Sequence, residues 1–133
     1  METNIPIEKI INYLAPFVNS KNSLMRMRNA EYFEMILSKA NQRDSDFNTN
    51  DESVKIIEAN SDIFEYFLVR TAEDQSKQVR HLAFECMSIY HDLLPDRCEE
   101  LVLSQLNNKA VQRQLIQMLN IDDKAAEMGI FAS

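Results

Sequence analysis

Glycine occurs once in the 133 residues, at Gly129, tryptophan is absent, and proline occurs three times, at Pro6, Pro16 and Pro95. Hairpins, sandwiches and phosphate-cradling loops need glycine where the backbone turns sharply or approaches a ligand, so this scarcity excludes Rossmann and P-loop fingerprints and leaves an all-helical chain. Basic excess is also missing: 14 Lys and Arg stand against 21 Asp and Glu, a formal charge of −7, which opposes the counterion release that drives nucleic-acid binding. No run reaches the eighteen or so apolar residues of a membrane span, and the start, Met1 to Lys9, has neither a basic n-region nor an apolar h-region. A soluble, cytoplasmic protein without direct nucleic-acid or membrane binding is expected. The two cysteines, Cys86 and Cys98, have no metal-ligand spacing and read as reduced, buried thiols.

What is present is helical periodicity. Ile7, Ile10, Ile11, Leu14, Phe17 and Val18 share a face, although Pro16 must kink or end that helix because it removes a ladder hydrogen bond. Leu24, Met27, Ala30, Phe33, Leu37 and Ala40 make a second stripe. Residues 41–53 have no period and read as one long acidic loop, followed by a short helix over about Glu52–Ala59. Asn60-Ser61-Asp62 is a break, with Asp62 and Glu65 at capping-box spacing before a helix carrying Ile63, Phe64, Phe67 and Leu68. Val79, Leu82, Ala83, Cys86, Met87 and Tyr90 form the most regular stripe, which stops near Leu94-Pro95. Helices follow over about Asp96–Leu106 and around Val111–Leu119, with a weak charged turn or two over 122–129, giving about seven helices in all. At 133 residues the chain is long enough to bury about two thirds of its unfolded surface in one domain.

Superposing the helix pairs reveals a repeat. Its clearest copy is Asp74-x-Ser76-x-x-Val79-Arg80-x-x-Ala83-x-x-x-Met87, preceded by the apolar helix Ile63 to Ala72. A second copy is Ser20-x-Asn22-x-x-Met25-Arg26 with Phe33, and Leu14 and Val18 fall opposite Leu68 and Ala72. In a third, Val111 and Leu115 occupy the Val79 and Ala83 positions, Gln112 replaces the arginine, and the turn is shorter. The pattern over residues 62–92 resembles the HEAT-repeat (HEAT/armadillo) family. The resemblance implies a short right-handed α-solenoid of about three antiparallel helix pairs over 6–40, 52–92 and 95–120, in which Asp74 caps the second helix and Arg80 reaches toward the turns. Such pairs cannot bury their apolar stripes singly and therefore stack. A compact helical bundle is the alternative architecture.

Catalytic constellations are not found. His81 and Glu85 stand at i, i+4, but two ligands do not make a zinc site, and a surface pair is expected. Cys86 is five residues from both His81 and His91 and faces away from each. Asp44, Asp46 and Asp51 lack the glycine and the closing glutamate of a calcium loop. No cofactor and no metal is expected. Of the seven methionines, most read as core filler, although Met25, Met27 and Met35 on one helix leave room for an adaptable exposed one.

Binding remains. Residues 41–75 hold nine acids (Asp44, Asp46, Asp51, Glu52, Glu58, Asp62, Glu65, Glu73 and Asp74) against Arg43, Lys55 and Arg70, a net of −6. That imbalance reads as a solvated face or as a docking surface for a basic partner. Stacked pairs line a concave face with the polar sides of their second helices. The expected partner-binding residues are therefore Arg28, Glu31, His81, Glu85, Ser88, Arg113 and Gln117, with Asp44, Asp46, Asp51 and Glu52 from the acidic segment. The leading expectation is a non-enzymatic adaptor or scaffold that binds another protein, with self-association left open. The alternative is a small acidic inhibitor, such as a toxin immunity protein or a nucleic-acid mimic.

Overall fold

A computed structural model of the chain describes residues 7–41 and 51–121; Asp44, Asp46, most of the acidic loop and the turn expected over 122–129 lie outside them. Among the described residues there are seven α-helices and no strand: α1 (Ile7–Leu14), α2 (Ser23–Asn41), α3 (Asp51–Ala59), α4 (Ser61–Ala72), α5 (Lys77–Leu93), α6 (Pro95–Ser104) and α7 (Lys109–Leu119). A 3₁₀ segment, Ala15–Asn19, follows α1. Pro16 sets that boundary. With no amide hydrogen to donate, it ends the α-ladder at Leu14, and the chain tightens into 3₁₀ geometry while still burying Val18.

The other boundaries follow from local chemistry. Ser76 caps α5, its hydroxyl accepting from the Val79 amide at 3.4 Å, and the Asp74 carboxylate accepts from the Ser76 amide at 2.8 Å. The cap therefore lies two residues beyond the Asp74 that the resemblance implies: Asp74 orders the turn and Ser76 caps the helix. Asn108 caps α7, its Oδ1 accepting from Ala110 and Val111 at 2.9 and 3.1 Å. At the other end of α7, Asn120 adopts a left-handed conformation (φ 55°), and the Ile121 amide donates back to the Ile116 carbonyl at 3.0 Å. Asparagine tolerates that conformation better than most residues and stands here where glycine is usual.

The expected Asp62–Glu65 capping box does not form. Asn60 occupies the cap position of α4 without a side-chain cap, its amide group donating instead to the Ile56 carbonyl of α3. Glu65 is drawn elsewhere: it accepts from the Tyr90 hydroxyl at 2.6 Å and from Arg97 Nε at 2.8 Å, joining α4, α5 and α6. A charge-assisted tertiary contact outcompetes the local cap.

α5 lies at the centre. It packs most extensively on α2, then on α4 and α6, and also touches α7. α2, α5 and α7, the second helices of the expected pairs, are thus neighbours in sequence order, and the 3₁₀ segment touches α4. One continuous core runs through the pairs and includes Ile11, Leu37, Met87 and Leu115, all fully buried. Its middle is aromatic. Phe33 stacks on Phe67 at 4.1 Å between centroids and meets Phe64 edge-on at 5.3 Å, and Phe64 in turn lies 6.5 Å from Tyr90.

The sequence repeat has a structural counterpart. Arg26 Nη1 donates to the Ser20 carbonyl at 2.8 Å, and Arg80 Nη1 donates to the Asp74 carbonyl at 2.8 Å, the same bond at the same place in two copies. Gln112, standing where the arginine is missing, donates to the Val102 and Leu103 carbonyls at 2.9 and 3.1 Å. In each pair a side chain from the first turn of the second helix satisfies carbonyls left open near the end of the preceding segment. The turns are also tied to one another. Arg26 forks onto Asp74 at 2.7 and 3.1 Å, and Glu73 Oε2 accepts from the Asn107 and Asn108 amides at 2.7 and 2.6 Å.

One buried group breaks the accounting. Asn29 on α2 is 3% exposed, and neither end of its amide has a hydrogen-bond partner. Burying an unpaired amide costs about 1–3 kcal/mol, so Asn29→Leu, close to it in volume, is expected to stabilise the fold by about 1–2 kcal/mol in urea unfolding. A lower midpoint for the leucine variant would mean that Asn29 has a partner within the fold.

Candidate partner-binding face

Among the described residues, the expected contact positions fall into two groups. Arg28 and Glu31 form an ion pair on α2 at 3.1 Å, and His81 and Glu85 of α5 are in contact at 3.1 Å; Arg28, His81 and Glu85 are exposed and Glu31 is half-buried. The extensive packing of α2 on α5 brings the pairs together. Ser88, exposed, follows Glu85 by three residues and continues the same face of α5. Arg113 and Gln117 are exposed on α7, four residues apart and hence neighbours on its surface, and their helix packs on α5 and α6. Glu52 is exposed on α3, beginning one residue after Asp51 opens that helix. Asp44 and Asp46 lie outside the described residues.

A residue not singled out in the sequence joins the two pairs. Glu34 of α2 lies close to Glu85 of α5, with Glu31 on its own helix and His81 nearby. Partial burial raises its pKa above the ordinary value, the contact with Glu85 and the charges of Glu85 and Glu31 raise it further, and His81 alone lowers it. The signal was available only as spacing: Glu31 and Glu34 are three apart, like charges on one helical surface.

The Glu34 proton has a consequence for stability. With a pKa raised in the folded chain, the folded state binds this proton more readily than the unfolded one, so stability falls as pH rises above the usual carboxylate value of 4.5. Glu34→Gln is therefore expected to stabilise the protein at neutral pH by a few tenths of a kcal/mol, roughly the size of a like-charge pair on a helix. The difference should vanish in acid, where the carboxyl is protonated in both states. Thermal midpoints of the two proteins at neutral and acidic pH would check it; an equal gap at both would remove the electrostatic account.

The thiols are sealed away. Cys86, fully buried, points its Sγ toward the Ala30 carbonyl at 3.9 Å, and burial, with Glu34 and Glu85 nearby, holds its pKa well above the ordinary value. Burial and the charges of Glu99 and Glu65 push Cys98 up to about 12. Both thiols are free and stay protonated at neutral pH, the inert condition for cysteine. Among the described residues no group of three or more His, Cys, Asp or Glu side chains is placed to hold a metal ion, and no helix is long and apolar enough to cross a membrane.

Two shallow clefts adjoin at Val18. One, of about 330 Å³, runs along the tied turns beside Arg26, Arg70 and Asp74. Its ionic groups are largely engaged: Arg26 by Asp74 and Ser20, and Arg70 by lying over the Tyr66 ring at 5.7 Å. The other, of about 310 Å³, is mainly apolar and lies between Pro16, Ile63 and Tyr66. Comparison with known proteins found no matching family model, no matching curated protein and no matching solved structure.

Proposed function

We propose that this protein is a non-enzymatic interaction module of HEAT-like form that binds a protein partner with a basic surface through the face shared by α2 and α5. The observation that carries the reading is the convergence of Glu31, Glu34 and Glu85 where α2 packs on α5. Carboxylates crowded at a helix seam cost stability, and the basic side chains on this face already contact carboxylates, Arg28 that of Glu31 and His81 that of Glu85. An external ammonium or guanidinium group placed at that seam relieves the repulsion, so binding gains what folding alone loses.

Supporting this, α2, α5 and α7 are neighbours in order, and Arg26, Arg80 and Gln112 make equivalent carbonyl contacts, as stacked repeats would.

The test compares the wild-type chain with a Glu31→Gln, Glu34→Gln, Glu85→Gln variant as bait, at low and high salt, followed by mass spectrometry. Partners held by the wild type at low salt, released by salt and absent from the variant are the expected result. The same proteins recovered with both baits would refute the proposal.

A further inference from the structure

The first helix of the first pair is held less completely than its counterpart in the second. α1 and the 3₁₀ segment, eight and five residues long, bury only Ile11, Leu14 and Val18, whereas the twelve residues of α4 bury five. Pro16 interrupts the hydrogen-bond ladder between the two pieces. Among the described residues, their one side-chain hydrogen bond to the rest of the fold runs from Asn19 Nδ2 to the exposed Tyr66 hydroxyl at 2.8 Å. Both clefts take one wall from residues 15–20 and another from α4 or the turn after it, so the 3₁₀ segment rests on its neighbour with space left unfilled.

Beneath this element lies the stranded amide. Arg26 and Arg80 are equivalents, so Asn29, three residues after Arg26, stands where Ala83 stands in the second pair. Ala83 and Tyr90, seven residues apart, share the face of α5 that meets Phe64 and Glu65 of α4. The same register points Asn29 at the first helix of its own pair, and α2 does pack on α1 and the 3₁₀ segment. One turn earlier, Met25 is 41% exposed where its counterpart Val79 is fully buried, so the broken first helix covers this face of α2 incompletely.

We infer that residues 7–19 form a strap that lifts from α2 and α4 as one unit while α2 to α7 stay folded. The unpaired amide and the unfilled space subtract from the free energy that holds the strap down, and opening gives both ends of the Asn29 amide to water. The hinge is fixed. Arg26 grips the Ser20 carbonyl and is itself forked onto Asp74, so the chain from residue 20 onward stays with the fold when the strap leaves. Opening joins the two clefts and uncovers the apolar seats of Ile11, Leu14 and Val18, with Asn29 as the polar group among them. The fold thereby carries a gate to its own interior, separate from the α2–α5 face.

Native-state hydrogen exchange of the full chain, read by NMR over a series of low urea concentrations, tests this. The amides of Ile11, Asn12, Tyr13 and Leu14, which bond within α1, are expected to share one opening free energy and one urea slope. That slope should be shallower than the slope of the α5 amides, and the strap should open roughly a hundredfold or more as often as α5. Asn29→Leu should slow exchange of the strap amides roughly 5- to 30-fold, because the strap then covers an apolar side chain in place of an unpaired amide. Protection that instead rises residue by residue from Ile11 to Leu14 is simple fraying of a helix end and overturns the inference. Strap amides that exchange only together with those of α5, in global unfolding, overturn it too. If Asn29→Leu slows α5 and leaves the strap amides unchanged, the strap opens without uncovering Asn29, and the inference falls as well.

Discussion

Truncating Phe33 to alanine is expected to cost about 4 kcal/mol of folding stability, within the range for emptying a large aromatic site in a core. Phe33 is fully buried, stacks on Phe67 and meets Phe64 edge-on, so its ring joins α2 to α4 at the point where the pairs meet. Removing it deletes transfer energy, two aromatic contacts and the packing of a site whose walls come from different helices and collapse poorly. Domains of this kind hold only about 5–15 kcal/mol in total, so the variant should be partly unfolded at body temperature. Phe33→Leu keeps much of the volume and should cost about half as much. Urea unfolding, with Tyr13→Ala at a 70% exposed position as the control, would measure both. A Phe33→Ala cost below about 1 kcal/mol would mean the pairs are not joined through this cluster.

The second large effect concerns the tied turns. Asp74 receives a forked contact from Arg26 and an amide from Ser76, and the Arg26 and Asp74 side chains are only 14% and 7% exposed. Arg26 is correspondingly held in its charged form, chiefly by its hydrogen bond to Asp74. Asp74→Ala leaves the guanidinium desolvated without its carboxylate and is expected to cost about 3 kcal/mol, the scale for breaking one side of a buried pair. Arg26→Met with Asp74→Ala removes the stranded charge as well. A double-mutant cycle should therefore return a coupling of about 1–3 kcal/mol. If the double variant loses just the sum of the two single effects, the side chains are not energetically coupled and the contact is geometric only. Arg80→Met, which loses bonds to the Asp74 and Gln75 carbonyls and no buried carboxylate partner, should cost nearer 1 kcal/mol.

Much of the fold was legible in the residues because helix formation is periodic and local. The stripe from Val79 to Tyr90 fixed the face of α5, and Val79, Ala83, Cys86, Met87 and Tyr90 are all buried there, with Leu82 packed at the edge. Pro16 marked the end of α1, and Arg26 and Arg80, identified as equivalents by spacing, make equivalent bonds. The surface pair His81–Glu85 followed from an i, i+4 separation. Of the candidate face, the sequence supplied Arg28, Glu31, His81 and Glu85.

Contacts between helices required the packing itself. Glu65 sits at capping-box distance from Asp62, yet its carboxylate goes to Tyr90 and Arg97, and only the fold brings those groups within reach. Glu73 reaching the Asn107 and Asn108 amides, Arg26 reaching Asp74, and Glu34 meeting Glu85 all join residues more than thirty positions apart. Composition and periodicity decided that the chain is helical and which stripe of each helix is apolar, since both depend on a residue and its neighbours a turn away. How the helices are rotated and slid against one another is set by the interlocking of side chains across them. That step decided which charges share a seam, which amide is stranded at Asn29, and which apolar residues of α2 remain in water.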